Sequence, residues 1–227
     1  MTKAAVVLSG CGVYDGSEIH EAVSLLTALS RAETGVACFA PEADLAEVDH
    51  LAGKPTGQKR SVLVESARIA RGDIRSLKEC KASDFDALFF PGGFGAAKNL
   101  CDFAEKGPDC TVHPEVERVI REFHKEEKPI GMCCIAPVLA AKVLGKGAGG
   151  LGCRLTLGAP SEASQAAEKM GATHVEAPVT QAVVDEDNGL VTAPAYMYGD
   201  AKIHEVAAGI DEMVRRTLDL TKVHATA

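Results

Sequence analysis

Apolar residues follow two patterns along this chain, and these patterns predict strands and helices in alternation. Short apolar runs, most of them ending at glycine or proline, indicate buried strands at residues 4–9, 35–40, 85–90, 130–133 and 154–157. Apolar positions at helical spacing indicate helices at residues 17–29, 114–124, 138–146, 161–170 and 201–218. The alternation predicts an α/β fold in which a mostly parallel sheet carries helices on both faces.

Local signals refine three of these segments. In the first helix we expect Ser17 as the N-cap, and an apolar stripe at Ile19, Val23, Leu26 and Leu29. The Asn188-Gly189 dipeptide predicts a hairpin turn between strands at residues 179–184 and 190–192. Residues 60–70 fit a strand or a helix equally well.

Composition and charge favour a globular protein and argue against a nucleic-acid-binding or membrane-spanning one. The 227 residues predict one domain, and their 46% hydrophobic and 25% charged content is ordinary for a soluble globular chain. A net charge of −8 argues against nucleic acid or anionic lipid as a partner. No apolar run reaches the roughly 18 residues that a membrane span needs.

The eight cysteines follow neither a disulfide nor a zinc pattern. There is no Cys-x-x-Cys pair, and no cluster of Cys and His has metal-ligand spacing. We therefore expect a reduced protein without a disulfide framework, a metal or another cofactor.

The strongest chemical signal is the segment at residues 129–137, in which an apolar strand ends at Cys133-Cys134 and a helix follows. A residue at such a turn is pushed out of the sheet, towards backbone N–H groups and the positive end of the helix. We expect this environment to lower the pKa of a thiol and make it a nucleophile. Cys134 is the better candidate because Cys133 closes the strand, although the reverse assignment stays open.

A second loop has residues suited to stabilising an oxyanion. Gly92 and Gly93 follow a buried strand, and glycine there allows the backbone to approach a ligand closely. If this loop lies beside the cysteine, the N–H groups of Gly93 and Ile135 would form an oxyanion hole. The alternative is an ordinary turn.

Carboxyl groups open the first helix, at the carboxyl edge of the predicted sheet where ligands bind in such folds. Glu21 near a thiolate would be pushed towards its neutral form and would act as a general acid or base. For Glu18 a capping role is the stronger interpretation. His20 is the nearest histidine, but a Cys-His-Glu triad is not evident.

Four motifs resemble one family. Residues 8–22, 91–100, 134–137 and 192–197 are similar to those of the ElbB, or enhancing-lycopene-biosynthesis, proteins and their mitochondrial amidotransferase-like relatives. The similarity extends over essentially the whole chain. These proteins belong to the PfpI-type class I glutamine-amidotransferase-like superfamily, so residues 1–227 are expected to form one such domain.

The resemblance implies a flavodoxin-like three-layer sandwich, a homodimer and a cysteine nucleophile elbow at Cys134. It implies that Glu21 lies beside this cysteine and that Gly93 and Ile135 supply the oxyanion N–H groups. Bacterial members are described as glyoxalases that do not use glutathione. The sequence departs from true glutamine amidotransferases, because no His-x-Glu follows Pro194.

These observations predict an enzyme that converts glyoxal, a small dicarbonyl, to glycolate through a hemithioacetal on Cys134. Glu21 or His20 would move the proton, and Gly92 would line the site with Gly93 and Ile135. The alternatives are a redox-sensing or chaperone-like protein with an oxidisable Cys134, and an amidotransferase-like hydrolase subunit. A cytoplasmic location is expected, or the mitochondrial matrix if a leader has been removed.

Overall fold

The computed structural model describes residues 2–224, and a seven-stranded sheet lies at its centre. The strands are β1 (Lys3–Val7), β2 (Gly35–Ala40), β3 (Asp44–Asp49), β4 (Lys54–Ser61), β5 (Ile74–Ser76), β6 (Ala87–Phe90), β7 (Ile130–Cys133), β8 (Arg154–Leu155), β9 (Thr173–His174), β10 (Val183–Asp185) and β11 (Leu190–Ala193). The helices are α1 (Ile19–Arg31), α2 (Val62–Ile69), α3 (Phe94–Lys98), α4 (Phe103–Lys106), α5 (Pro114–Lys125), α6 (Pro137–Leu144), α7 (Glu162–Lys169) and α8 (Ile203–His224).

The central sheet has the strand order β10-β11-β7-β6-β1-β2-β5. All neighbouring strands pair in parallel, except that β10 is antiparallel to β11 across the predicted hairpin. Two small pairs, β3 with β4 and β8 with β9, lie outside this sheet. The predicted mostly parallel sheet is therefore confirmed.

Alternating residues of β1 show why helices cover both faces, since successive side chains of a strand point to opposite sides. Ala4 and Val6 belong to an apolar cluster with residues of α1 and α8. Ala5 and Val7 belong to another, with residues of α5, α6 and α7. The three-layer α/β sandwich is thus confirmed.

The sheet order brings four loops together. Strands β11, β7, β6 and β1 are adjacent and parallel, so their carboxyl ends lie at one edge of the sheet. The segments that follow them carry Tyr196, Cys134, Gly92 and the start of α1, respectively. Residues far apart in the chain therefore meet at this edge, where α/β folds bind their ligands.

The first helix differs from the prediction in its cap and its buried face. Glu18, not Ser17, is the N-cap and accepts the Glu21 N–H; the Ser17 hydroxyl instead accepts the Ser9 N–H at 2.9 Å. Ile19 and Val23 are exposed, whereas Glu21 lies among the residues that α1 buries. The buried apolar positions are Ala22, Leu25, Ala28 and Leu29. The predicted stripe was wrong over the first two turns.

Two irregular segments are now defined. Residues 60–70, for which the sequence allowed a strand or a helix, contain both. Strand β4 ends at Ser61 and helix α2 begins at Val62, and the Ser61 side chain caps this helix by accepting the Val64 N–H. Residues 101–112, which follow no clear sequence pattern, include the short helix α4. No helix within residues 2–224 has the length and apolarity that a membrane crossing demands.

Candidate active site

The turn between β7 and α6 holds Cys134 in an unusual backbone conformation. Its φ is +58°, in the left-handed region, and its N–H donates to the Ala193 carbonyl of the neighbouring strand at 3.0 Å. Strain of this kind at a non-glycine residue often marks a functional site. The cysteine elbow predicted from the sequence is therefore present in the backbone.

The two adjacent cysteines face different surroundings. Cys134 is 8% exposed and lines a cavity, whereas Cys133 is fully buried and does not belong to the cavity lining. The Cys133 sulfur lies 4.0 Å from Glu21 Oε2. Of the pair, it is therefore Cys134 that a small molecule in the cavity would meet.

Glu21 is completely buried beneath this turn. Its Oε2 accepts the N–H of Gly92 at 3.0 Å, and its Oε1 accepts the N–H of Tyr196 at 3.1 Å. Burial raises the pKa of the Glu21 carboxyl to about 8, although both N–H groups favour the ionised form. The expected shift of Glu21 towards its neutral form agrees with these surroundings.

The side chains of Glu21 and Cys134 lie close enough to change each other's pKa. Burial raises the pKa of the Cys134 thiol well above its usual range, and the nearby Glu21 charge raises it further. The expectation that the elbow lowers this pKa was wrong, because the sulfur is out of water and faces an acid. The thiol therefore keeps its proton at neutral pH, and the carboxyl is largely protonated there as well.

Two backbone N–H groups act against this rise in the pKa of Cys134. The backbone N–H groups of Gly93 and Ile135 lower the pKa of the Cys134 thiol, because they favour the thiolate. Gly93 has φ +93°, and a side chain there would collide with the backbone of Glu18. The two donors predicted for an oxyanion hole are thus together beside Cys134.

Gly92 is where the backbone approaches the acid and the thiol most closely. A Cβ at this position would lie 2.7 Å from Glu21 Oε2 and 2.9 Å from Cys134 Sγ. Only a residue without a side chain fits there without displacing the two reactive groups.

His20 lies outside this cluster. Its side chain is 49% exposed, and Nδ1 is 3.0 Å from Tyr196 Oη and 3.7 Å from Glu18 Oε1. Among the described residues, no histidine is hydrogen-bonded to Cys134. The structure thus brings together Cys134, Glu21, Gly92, Gly93 and Ile135, and it leaves His20 at the rim.

Sequence reasoning missed Tyr196. Its backbone N–H donates to Glu21 Oε1, and its hydroxyl lies 3.0 Å from His20 Nδ1. Tyr196 also lines the cavity. The carboxyl-edge rule would have identified it, because it follows β11 closely. The sequence predicts β11 only as one strand of a hairpin. The local pattern of residues does not show that β11 also pairs in parallel with β7, which is what brings Tyr196 to the site.

A cavity of about 390 Å³ opens outside Cys134. Its lining is Val13, Glu18, Gly93, Phe94, Ala97, Phe103, Ala104, Cys134, Ile135, Tyr196 and Met197. Within residues 2–224, no group of three or more His, Cys, Asp and Glu side chains is placed to hold a metal ion.

Comparisons with known proteins agree with this architecture. The model of the DJ-1/PfpI family matches residues 11–206. The chain is 50% identical over 230 residues to glutamine amidotransferase-like class 1 domain-containing protein 3, mitochondrial, of Homo sapiens, covering 96% of this chain and 83% of that protein. It is 48% identical to the ES1 protein homolog, mitochondrial, of Rattus norvegicus, covering 96% and 84%.

Solved structures show the same fold. A crystal structure of an isoprenoid biosynthesis protein with amidotransferase-like domain from Ehrlichia chaffeensis superposes with a TM-score of 0.90 at 34% identity, covering 97% of this chain and 99% of that one. Drosophila melanogaster DJ-1beta superposes with a TM-score of 0.53 at 19% identity over the full length of both chains. The latter likeness concerns the fold alone.

Proposed function

The chain belongs to the DJ-1/PfpI family, and from that premise we propose that it is a glyoxalase that uses neither glutathione nor a cofactor. It converts glyoxal to glycolate through a hemithioacetal on Cys134. The strongest support is the position of Glu21, a buried acid that lies beside the thiol facing the cavity. A pKa of about 8 lets this carboxyl both take up and return a proton near neutral pH.

The first step is addition of the thiol. Glu21, as a carboxylate, takes the Cys134 proton while the sulfur bonds to one aldehyde carbon of glyoxal. The carbonyl π electrons move to oxygen, and the N–H groups of Gly93 and Ile135 stabilise the resulting alkoxide. Glu21 then returns its proton to this oxygen, which gives the hemithioacetal.

The second step moves hydrogen between the two carbons. The Glu21 carboxylate removes the hydrogen of the sulfur-bearing carbon as a proton and delivers it to the neighbouring carbon by way of an enediol. The hydroxyl proton of the first carbon passes to the oxygen of the second. The first carbon is thereby oxidised to a thioester while the second is reduced to an alcohol, so the electrons balance within the substrate. Water then breaks the C–S bond, releases glycolate and restores the thiol.

The two rival functions have weaker support at this site. Redox-sensing cysteines combine a low pKa with exposure, whereas Cys134 is buried and its thiol pKa is raised. Glutamine hydrolysis by a Cys-His-Glu triad would need a histidine at the thiol, and His20 instead contacts Tyr196. We therefore favour the dicarbonyl reaction.

We further propose that the chain is a member of the ElbB branch, that residues 1–227 act as one domain, and that it forms a homodimer. The likeness to the Ehrlichia chaffeensis protein, over nearly all of both chains, supports the branch. The human and rat relatives are named as mitochondrial, which favours the matrix over the cytoplasm expected from the sequence. Sedimentation velocity and cell fractionation test the dimer and the compartment.

The test of the reaction is conversion of glyoxal to glycolate without glutathione, followed by proton NMR. We expect turnover by the wild type and a loss of at least about a thousandfold in Cys134→Ser. Cys133→Ser is the matched control, because it removes the neighbouring thiol that does not line the cavity; we expect it to stay within about tenfold of the wild type. An inactive wild type, or an active Cys134→Ser, would refute the proposal.

A further inference from the structure

The lining of the cavity outside Cys134 combines a few polar groups with a larger apolar wall. Glu18, Cys134 and Tyr196 supply the polar side chains of the lining, and the Gly93 amide lies with them. The remaining lining residues are apolar: Val13, Phe94, Ala97, Phe103, Ala104, Ile135 and Met197. A ligand whose carbonyl is held at Cys134 is therefore surrounded mostly by apolar side chains.

The cavity is much larger than the substrate of the proposed reaction. Glyoxal has four heavy atoms and occupies about as much space as two water molecules, each with a liquid volume of about 30 Å³. A volume of about 390 Å³ falls within the range of sites that enclose much larger ligands. Glyoxal alone would leave most of the apolar wall in contact with water.

The charge of the lining also restricts the ligand. Glu18 and Tyr196 are the ionisable side chains beside Cys134 in the described lining, and neither supplies a positive charge. Lys98 Nζ lies 5.1 Å from the centroid of the Phe94 ring, but it donates to the Tyr14 carbonyl and does not belong to the lining. A carboxylate at the far end of a substrate would therefore contact hydrocarbon within the lining, and burying such a charge without a partner is costly. The lining thus favours a neutral substrate with an apolar far end.

We propose, on the basis of the proposed function, that the preferred substrate is a neutral α-oxoaldehyde with an apolar side group of about four to six carbons. The aldehyde carbon bonds to Cys134, and the side group lies against Phe94, Phe103 and Met197. The atoms balance as before: the aldehyde carbon is oxidised, the ketone carbon is reduced, water enters, and an α-hydroxy acid leaves.

The probe is 4-methyl-2-oxopentanal, and methylglyoxal is its matched partner. Both have a ketone next to the aldehyde, so their intrinsic reactivity is similar and the isobutyl group is the main difference. We expect kcat/KM of the wild type to be roughly tenfold or more higher for 4-methyl-2-oxopentanal, because each buried methylene strengthens binding. Equal or lower kcat/KM for the larger substrate would overturn the inference while leaving the glyoxalase proposal intact.

A change in the cavity wall makes this test specific. Ala104 lines the cavity and is exposed, so Ala104→Phe adds a ring there without overpacking the core. We expect this variant to lower the ratio of the two kcat/KM values by about tenfold. Val64→Ala is the control, because Val64 is 63% exposed on α2 and away from this cavity; its ratio should equal that of the wild type. An unchanged ratio in Ala104→Phe would contradict the placement of the substrate's side group against this wall.

A binding measurement separates the two proposals if no turnover is found. Cys134→Ser is titrated calorimetrically with 1-hydroxy-4-methylpentan-2-one and with hydroxyacetone, which are neutral and lack the aldehyde. At least tenfold tighter binding of the larger ketone would support an apolar-substituted ligand, even if the glyoxalase proposal failed. Equal affinity for the two ketones would overturn the inference itself.

Discussion

The inner end of the site, beneath the elbow, consists of Glu21, Gly92 and Cys134. Glu21 is fully buried there, Cys134 is 8% exposed, and a side chain on Gly92 would collide with both. The outer end of the site is the exposed part of the cavity lining, where Phe94 is 48% exposed and Ala104 is exposed as well. The inner end has no spare space, whereas the outer end is open. The difference suggests that chemistry depends on the inner end and selectivity on the outer end, where substitutions cost little stability.

The largest effect is expected at the acid of the inner end. Glu21→Gln removes the group that takes and returns the proton, so we expect kcat/KM for glyoxal to fall by about 10²–10³. Glu18→Gln is the matched control, because Glu18 lies in the same cavity but serves as the α1 cap; we expect it to lose less than about tenfold. Initial rates of glyoxal conversion by the two variants measure this effect. If Glu21→Gln kept more than a tenth of the wild-type kcat/KM, Glu21 would have no catalytic role.

The same carboxyl should set the pH dependence of stability. Its pKa is raised from an ordinary 4.5 to about 8, so its contribution is fully present below about pH 4.5 and is lost as the pH rises to about 8. We expect the free energy of unfolding to fall by roughly 3–5 kcal/mol over that window. Urea unfolding of wild type and Glu21→Gln at several pH values tests this, and equal slopes in the two proteins would contradict it.

Crowding at the inner end should make it intolerant of a single methyl group. Gly92→Ala would press on the carboxyl of Glu21 and the sulfur of Cys134, so we expect kcat/KM to fall by about 100-fold and stability by about 1–3 kcal/mol. Gly199→Ala is the control, because a Cβ at Gly199 has no atom within 4 Å. If Gly92→Ala kept the wild-type kcat/KM, as Gly199→Ala should, the inner end would have room for a methyl group and the close packing of Glu21 and Cys134 around Gly92 would be contradicted.

Activity should respond to pH in the direction opposite to stability. The thiol gives its proton to the carboxylate form of Glu21, which becomes more populated as the pH approaches about 8. We expect kcat/KM of the wild type to rise about fiftyfold between pH 6 and pH 8 and then to level off. A profile that is flat from pH 6 to 8 would show that this carboxyl does not limit the reaction.

The smallest effect is expected at the rim. Tyr196→Phe removes the contact with His20 but keeps the backbone N–H that orients Glu21, so we expect kcat/KM to fall by less than about fivefold. His20→Gln should behave similarly, because His20 does not reach Cys134. A 100-fold loss of kcat/KM in His20→Gln would instead indicate that His20 transfers the proton, which is the alternative to Glu21 that the sequence allowed.

Part of this site was predictable because its signals are local. The apolar run before Cys134 and the helix-forming run after it predict an elbow, and Pro91-Gly92-Gly93 predicts a turn in which the backbone approaches a ligand closely. The rule for carboxyl edges of parallel sheets then places these loops together. The pairing of the Gly93 and Ile135 amides beside Cys134 follows from that reasoning.

The raised pKa of Cys134 was not predictable in this way. The turn geometry alone favours a lower pKa, through the helix end and the N–H groups. The opposing influences are the burial of the sulfur and its contact with Glu21. Both depend on how α1 packs on the sheet, which the residues around Cys134 do not specify.

By itself the sequence determined the alternation of strands and helices, the elbow at Cys134 and the glycine loop after β6. These features depend on hydrophobic periodicity and turn-forming residues, which are signals within a few neighbouring positions of the chain. Only the tertiary structure decided that α1 turns Glu21 inward and leaves Ile19 in solvent. Likewise it decided that Tyr196 joins the site and that an apolar cavity opens outside it. These features depend on strand order and helix rotation, which many distant contacts set together.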